Sequence, residues 1–384
     1  MKPAKKRTVH SLFSVCTLFV LLSTVLLFNT SSSQPARGDS LSSPPAVEIG
    51  GTQALHLTSS IVGQEFNLSV NIPRDYKDSS KIFPVIYLLD GQWDFPLMNA
   101  IYGEQYYDGF VPGAIVVGIA WGGANPNYDF LRARDLTPTA VKQAPFAGNA
   151  PKFLQFIKTE LIPFIDARYR TNKNDRTLMG SSLGCLFTLY TLFQETSLFN
   201  RYVLTSPAIG WDDGVVEGFI KNYASDKSRI PVRLFMAVGG LEGNESAFEK
   251  FADRLKAKKL EGLEIETRVL EGTGHSGGKA EGYTRGLQYV FAKPFVAVDA
   301  VILDQYTGAY QANPEMKIEI VREESQLVAS APDGTKLPLF AESEKDFYLK
   351  GQYLFIHFKK DEKGKVTGFQ MEQFNGQQFV EKVK

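Results

Sequence analysis

The sequence predicts a doubly wound α/β fold with a mostly parallel sheet, followed by a small antiparallel β domain. Four nearly continuous apolar runs, "IFPVIYLLDG", "GAIVVGIA", "RYVLTSP" and "VRLFMAVGG", suit strands buried on both faces of a sheet. Helical periodicity separates them: "APKFLQFIKTELIPFIDARY" sets Phe153, Phe156, Ile157, Leu161 and Phe164 at spacings of three and four, and "ESAFEKFADRLKAKKL" and "YTRGLQYVFA" repeat the pattern. Beyond Pro294 the chain turns to short alternating segments such as "KIEIVREESQLVASAPDG" and "KVTGFQMEQFNGQQFVEKV", with "PDG" and "EKG" as turn signals.

The elements follow in order. "MKPAKKRTVH" is basic, and Ser11 to Phe28 is an uncharged apolar run, so residues 1–28 read as a signal peptide or N-terminal anchor and the product as exported, periplasmic or extracellular. Cys16 within the run lacks the small residue before it that lipid attachment needs and reads as apolar filler. Residues 29–46, "NTSSSQPARGDSLSSPPA", form a flexible Ser/Pro-rich tether. The α/β domain is assigned to 47–296 and opens with a hairpin of "ALHLTSS" and "EFNLSVNIP"; the β domain is assigned to 297–384.

At 384 residues, 43% hydrophobic and 22% charged, the chain has the composition of a folded globular protein. Of its 42 basic residues, Lys2, Lys5, Lys6 and Arg7 precede the apolar run, which leaves 38 against 42 acidic ones and no basic nucleic-acid surface. Past Cys16 only Cys185 remains, so no intramolecular disulfide is expected. The sparse histidines and cysteines form no metal-ligand spacing, and no metal, cofactor or obligate protein partner is implied.

Gly-x-Ser-x-Gly occurs twice, around Ser182 in "LMGSSLGCLFTLYTLF" and around Ser276 in "GHSGG". A nucleophile on a strained turn needs a strand before it, a helix after it and small residues at the bend. Ser182 has all three. A serine also needs a base, and in this chain order the base follows the acid-bearing strand. His10 lies in the export segment, His56 in the first hairpin and His357 on the alternating strand "QYLFIHF". His275, in the glycine-rich "EGTGHSGG", is left as the candidate base. Glu242, just after "LFMAVGG", is the leading acid; Glu245 and Asp253 fall in or near the next helix, and Asp212 and Asp213 are the next alternatives. Oxyanion donors are sought in the amide of Leu183 and in the "LLDGQWDF" loop, at Gln92 or its neighbour. Trp93 is a candidate lining residue. Arg134, in "RARDLTP", is a candidate contact for an anionic or phenolic substrate, or a salt-bridge partner of Asp135.

From Leu55 to Pro294 the chain resembles the putative esterase family of α/β-hydrolases, which includes siderophore (enterochelin-type) esterases, esterase D and related feruloyl and acyl esterases. "VIYLLDGQWDF", "RARDLTP", "LMGSSLGCLFTLYTLF", "FNRYVLTSPAIGWDD" and "EGTGHSGGKAEGYTRGLQYVF" carry the resemblance, in that order. It implies a serine esterase acting on a small-molecule ester, with Ser182 as nucleophile, His275 as base and Glu242 as acid. Cys185 departs from the pattern, in which glycine often follows "SxG". The alternative is a binding protein that uses the same fold without turnover, and the intact Ser182 and His275 favour the enzyme. Acyl transfer and peptide cleavage would use the same residues. The C-terminal segment resembles the lipocalin-like β modules appended to some exported serine hydrolases, through "YTGAYQ" and "KVTGFQMEQ".

Overall fold

A computed structural model describes residues 47–226, 228–330 and 334–383; the export segment and the tether lie outside the described residues. The predicted hairpin forms from β1 (Thr52–Ser59) and β2 (Gln64–Asn71), paired antiparallel. β3 (Phe83–Leu88), β4 (Ile115–Trp121), β5 (Thr171–Ser181), β6 (Arg201–Thr205), β7 (Val232–Gly239) and β8 (Leu263–Leu270) complete an eight-stranded sheet ordered β1-β2-β4-β3-β5-β6-β7-β8. The pairs from β4–β3 through β7–β8 are parallel. Every residue of β3 and β4 is buried, because helices cover both faces and no position can be spared for a polar side chain.

These helices are α1 (Gly91–Tyr107), α2 (Tyr128–Asp135), α3 (Ala150–Phe156), α4 (Ile162–Asp166), α5 (Leu183–Gln194), α6 (Val216–Ser225), α7 (Glu245–Ala257) and α8 (Gly278–Val290). On one face Phe66 stacks on Phe156 at 4.3 Å between ring centres, with Phe153 and Phe187 beside them. On the other, α1 and α8 bury Phe95, Met98, Tyr283 and Leu287 against Val203 and Phe235. The single helix expected over 150–169 is instead α3 and α4 joined by a π-turn, Ile157–Leu161, in which the Ile162 amide reaches back to the Ile157 carbonyl. Pro163 comes next and has no amide to give, so the hydrogen-bond ladder is irregular where a proline enters it.

The remainder is a closed antiparallel barrel of β9 (Gly308–Asn313), β10 (Met316–Glu323), β11 (Gln326–Ser330), β12 (Lys336–Ala341), β13 (Asp346–Tyr348), β14 (Leu354–Lys360), β15 (Val366–Gln373) and β16 (Gly376–Lys382), with β16 returning to pair β9. Its alternate residues, among them Tyr310, Ile320, Leu327, Phe347, Ile356, Phe358 and Phe369, form a side-chain core. α9 (Ala300–Tyr306), capped by the Asp299 carboxylate on the Val301 amide, delivers Tyr306 to stack on Phe358 at 4.0 Å.

Sheet and barrel lie within one unit, Ile49–Lys384, and meet through aromatic and cationic contacts. Tyr106 and Tyr107, ending α1, pack on Phe374, and Tyr106 also on Tyr353. The Arg74 guanidinium lies 4.4 Å over the Phe374 ring. Lys293, just past α8, sits over Tyr348 and Phe355 and pairs with Glu342. α1 has 17 residues, so its barrel end is about 25 Å from its first turn. Among the described residues no helix is long and apolar enough to cross a membrane.

Candidate active site

The ends of β3, β5, β6, β7 and β8 supply the site. Ser182 joins β5 to α5 at φ 58 and ψ −118, a region that costs an L-residue energy unless its surroundings impose it. They do. A Cβ on Gly180 would stand 2.7 Å from the Gly184 carbonyl carbon, so only glycine lets the turn close. The Ser182 amide donates to the Thr205 carbonyl at 3.1 Å, and its own carbonyl accepts from the amides of Cys185, Leu186 and Ala208. The Cys185 thiol donates toward the carbonyls of Gly180 and Thr205 at 3.1 and 3.0 Å, which fastens the turn, and its pKa is pushed up by burial. Ser276 sits on an exposed turn ahead of α8, without the strand-to-helix bend of Ser182.

The candidate acid and base come from adjacent loops. β7 ends at Gly239 and the following turn carries Glu242, while the loop after β8 carries His275. His275 Nδ1 lies 2.7 Å from Glu242 Oε2. Glu242 Oε1 accepts from the Ser206 hydroxyl at 2.5 Å and from the Gly239 amide at 2.7 Å. The carboxylate is 4% exposed and the imidazole 51%, so Glu242 is enclosed and His275 open to solvent. Burial works to raise the Glu242 pKa, but the hydrogen bonds from Ser206, His275 and Gly239 outweigh it and hold the carboxyl below its ordinary range. The loops cross closely: a Cβ on Gly239 would meet the Thr273 carbonyl at 2.6 Å and Glu242 Oε1 at 2.9 Å.

Among the described residues the other histidines have partners elsewhere, His56 with Asn67 and His357 with Asp346. Asp212 and Asp213 lie in a 3-10 turn, Trp211–Gly214. Glu245 accepts from the Gly243 amide and Asp253 lies within α7.

Two sets of unpaired helix amides belong to this end of the sheet. Leu183 is the first residue of α5 and Gln92 the second of α1, and the first amides of a helix have no intrahelical carbonyl to bond. α1 is anchored to α8 by Asp94, which accepts from Lys279 at 2.8 Å and from the Tyr283 hydroxyl at 2.7 Å. The start of the helix bearing Gln92 is thereby tied to the helix that follows His275.

Asp90, left-handed at φ 57 and 2% exposed, holds Arg132 through both oxygens, at 2.6 and 2.9 Å. The Arg132 guanidinium also lies 5.3 Å from the Trp93 ring, and Tyr128 meets Trp93 edge-on. Trp93 remains 47% exposed. Arg134 instead pairs in two hydrogen bonds with Asp135, a buried carboxylate that also accepts from Trp121 and Asn149. Within "RARD" the structure thus brings Arg132 to Trp93 and Arg134 to Asp135. Tyr128 and Arg132, four apart on α2, share a helix face, and that spacing was the available sequence signal. Arg132→Ala leaves Asp90 buried without its partner and should cost about 3–5 kcal/mol, measured as a lower urea midpoint at unchanged m-value.

Among the described residues no group of three or more His, Cys, Asp or Glu side chains could hold a metal ion.

Residues 59–242 match the family described as putative esterase, and residues 292–382 match a domain of unknown function, DUF3471. Ferri-bacillibactin esterase BesA of Bacillus subtilis (strain 168) is 30% identical over 251 residues, 60% of this chain and 86% of that protein. Siderophore triacetylfusarinine C esterase of Aspergillus fumigatus is 28% identical over 233 residues, 58% of this chain and 79% of that protein. Among solved structures, the BES protein from Bacillus cereus matches with a TM-score of 0.59 at 26% identity, over 64% of this chain and 98% of that one. An IroE-like serine hydrolase from Shewanella oneidensis matches with a TM-score of 0.57 at 25% identity, over 66% and 85%.

Proposed function

The chain belongs to the putative esterase family and is a carboxylic ester hydrolase of the α/β-hydrolase fold, and on that premise we propose that it works through an acyl-enzyme built on Ser182, His275 and Glu242. The observation that carries this reading is the 2.7 Å contact between His275 Nδ1 and the enclosed Glu242 carboxylate, at the same sheet end as the strained Ser182 turn.

With Nδ1–H donated to Glu242, the Nε2 of His275 is the basic nitrogen. It takes the Ser182 hydroxyl proton as Oγ bonds to the ester carbonyl carbon. The oxyanion that forms is stabilised by the amides of Leu183 and Gln92. As the intermediate collapses, the carbon–oxygen bond to the alcohol breaks and His275 returns the proton to the departing alkoxide. Water then attacks the acyl-serine with His275 again as base, releasing the acid and regenerating Ser182. Glu242 keeps its charge throughout and stabilises the imidazolium.

The siderophore-esterase relatives support a siderophore-type ester as substrate, with the half-exposed Trp93 ring, braced edge-on by Tyr128, as the face against which it rests. The N-terminal sequence supports export, with the enzyme tethered by that segment or released from it. A panel of a siderophore lactone, a short acyl ester, a hydroxycinnamoyl ester and a peptide tests the reading. The expected result is turnover of the esters, with the highest kcat/KM for the lactone and none for the peptide. Peptide cleavage as the fastest reaction would contradict it.

A further inference from the structure

We propose that Ser206 is a positioning residue that holds Glu242 in register with His275, extending the proposed triad by a fourth member. This rests on the triad reading above. Ser206 follows directly on β6, is 3% exposed, and donates its hydroxyl to Glu242 Oε1 at 2.5 Å while Oε2 faces His275. A carboxylate with both oxygens engaged cannot rotate about its terminal bond without losing a charge-assisted hydrogen bond. The His275 carbonyl lies 3.4 Å from the same hydroxyl, so the serine touches the backbone of the base as well as the side chain of the acid.

The backbone points the same way. Ser206 is left-handed at φ 55, a conformation non-glycine residues seldom adopt and keep at functional sites when the surroundings enforce it. Its amide is pinned to the Ala237 carbonyl at 2.7 Å on β7, and the preceding Thr205 carbonyl holds the Ser182 amide. The dipeptide Thr205–Ser206 therefore fixes the nucleophile turn on one side and the acid on the other. Glycine would relieve the left-handed backbone; serine keeps it and adds a hydroxyl.

The other titratable groups around the carboxylate are His275 and, at the start of α7, Glu245. The Ser206 hydrogen bond favours ionised Glu242. Without it the carboxylate binds protons more readily, so the acidic limb of the rate profile moves to higher pH.

Ser206→Gly and Ser206→Ala in the full chain test this with a small ester. Both should lower kcat about tenfold, the scale of one hydrogen bond to a charged group, with KM within about twofold and the acidic limb displaced upward. Relief of the left-handed backbone in Ser206→Gly offsets only part of the lost hydrogen bond, so kinetics are read at a temperature well below the midpoint of each variant's melting curve, where both proteins are folded. Parental kcat and an unmoved acidic limb in a folded Ser206→Gly protein, alongside a large loss in Glu242→Gln, would overturn the role of Ser206 and leave the triad standing. Parental activity in Glu242→Gln would overturn the triad reading itself and this inference with it.

Discussion

Ser182→Ala should lower kcat/KM for a small ester by about 10⁴-fold or more, and His275→Ala by a comparable factor, because nucleophile and base act as a unit and either loss removes the whole covalent route. Both proteins should stay folded. Ser182 keeps its place through backbone bonds to Thr205, Cys185, Leu186 and Ala208 that alanine preserves, and the His275 side chain is half exposed. Ser276→Ala, His56→Ala and His357→Ala should retain most of the activity, since Ser276 is on an exposed turn and the two histidines bond to Asn67 and Asp346. Loss of turnover in any of these three while folded would mean that the nucleophile or base had been misassigned. Steady-state kinetics with melting curves for each variant settles it.

A chain ended near Pro294 should keep its kcat/KM for a small ester but become less stable. The proposed catalytic residues all precede that point, and the barrel packs where α1 and α8 end, whereas the site lies where they begin. Ending the chain there uncovers Tyr106, takes Phe374 from Tyr107 and Arg74, and strips Lys293 of Tyr348, Phe355 and Glu342. Each large apolar side chain fully uncovered costs on the order of 1.5–3 kcal/mol, so a fall in Tm of about 5–10 °C is expected, with a tendency to aggregate through the exposed aromatic patch. Activity should be referred to the monodisperse fraction. Equal ratios of bulky-ester to small-ester kcat/KM in the two proteins are expected from a barrel about 25 Å away. Loss of small-ester turnover in the folded, shortened protein would place the barrel in the active site.

What the sequence made legible was local. β3 and β4 declared themselves because a strand buried on both faces carries no charged residue, and Ser182 because a strand, two glycines and an apolar helix surround it. His275 emerged by elimination among four histidines, and Glu242 because it stands two residues past the apolar run and its two glycines. What stayed hidden depends on contacts between distant segments. Ser206 reads as the ordinary end of "RYVLTSP", and only the approach of the β7 loop gives its hydroxyl a carboxylate. Arg132 and Arg134 stand in one motif, and tertiary packing alone sends the first to Asp90 and Trp93 and the second to Asp135. The alternating tail announced antiparallel strands, but closure rests on β16 pairing with β9 about 70 residues earlier, at Glu381 and Gln311, a register that no local pattern encodes.

Activation of Ser182 as nucleophile by His275 and Glu242 is tested by mass-spectrometric mapping of the adduct left by a fluorophosphonate probe on the intact protein. One adduct is expected, on the peptide containing Ser182, absent from Ser182→Ala and formed far more slowly in His275→Ala. An adduct on Ser276, or labelling of Ser182 at an undiminished rate without His275, would contradict it.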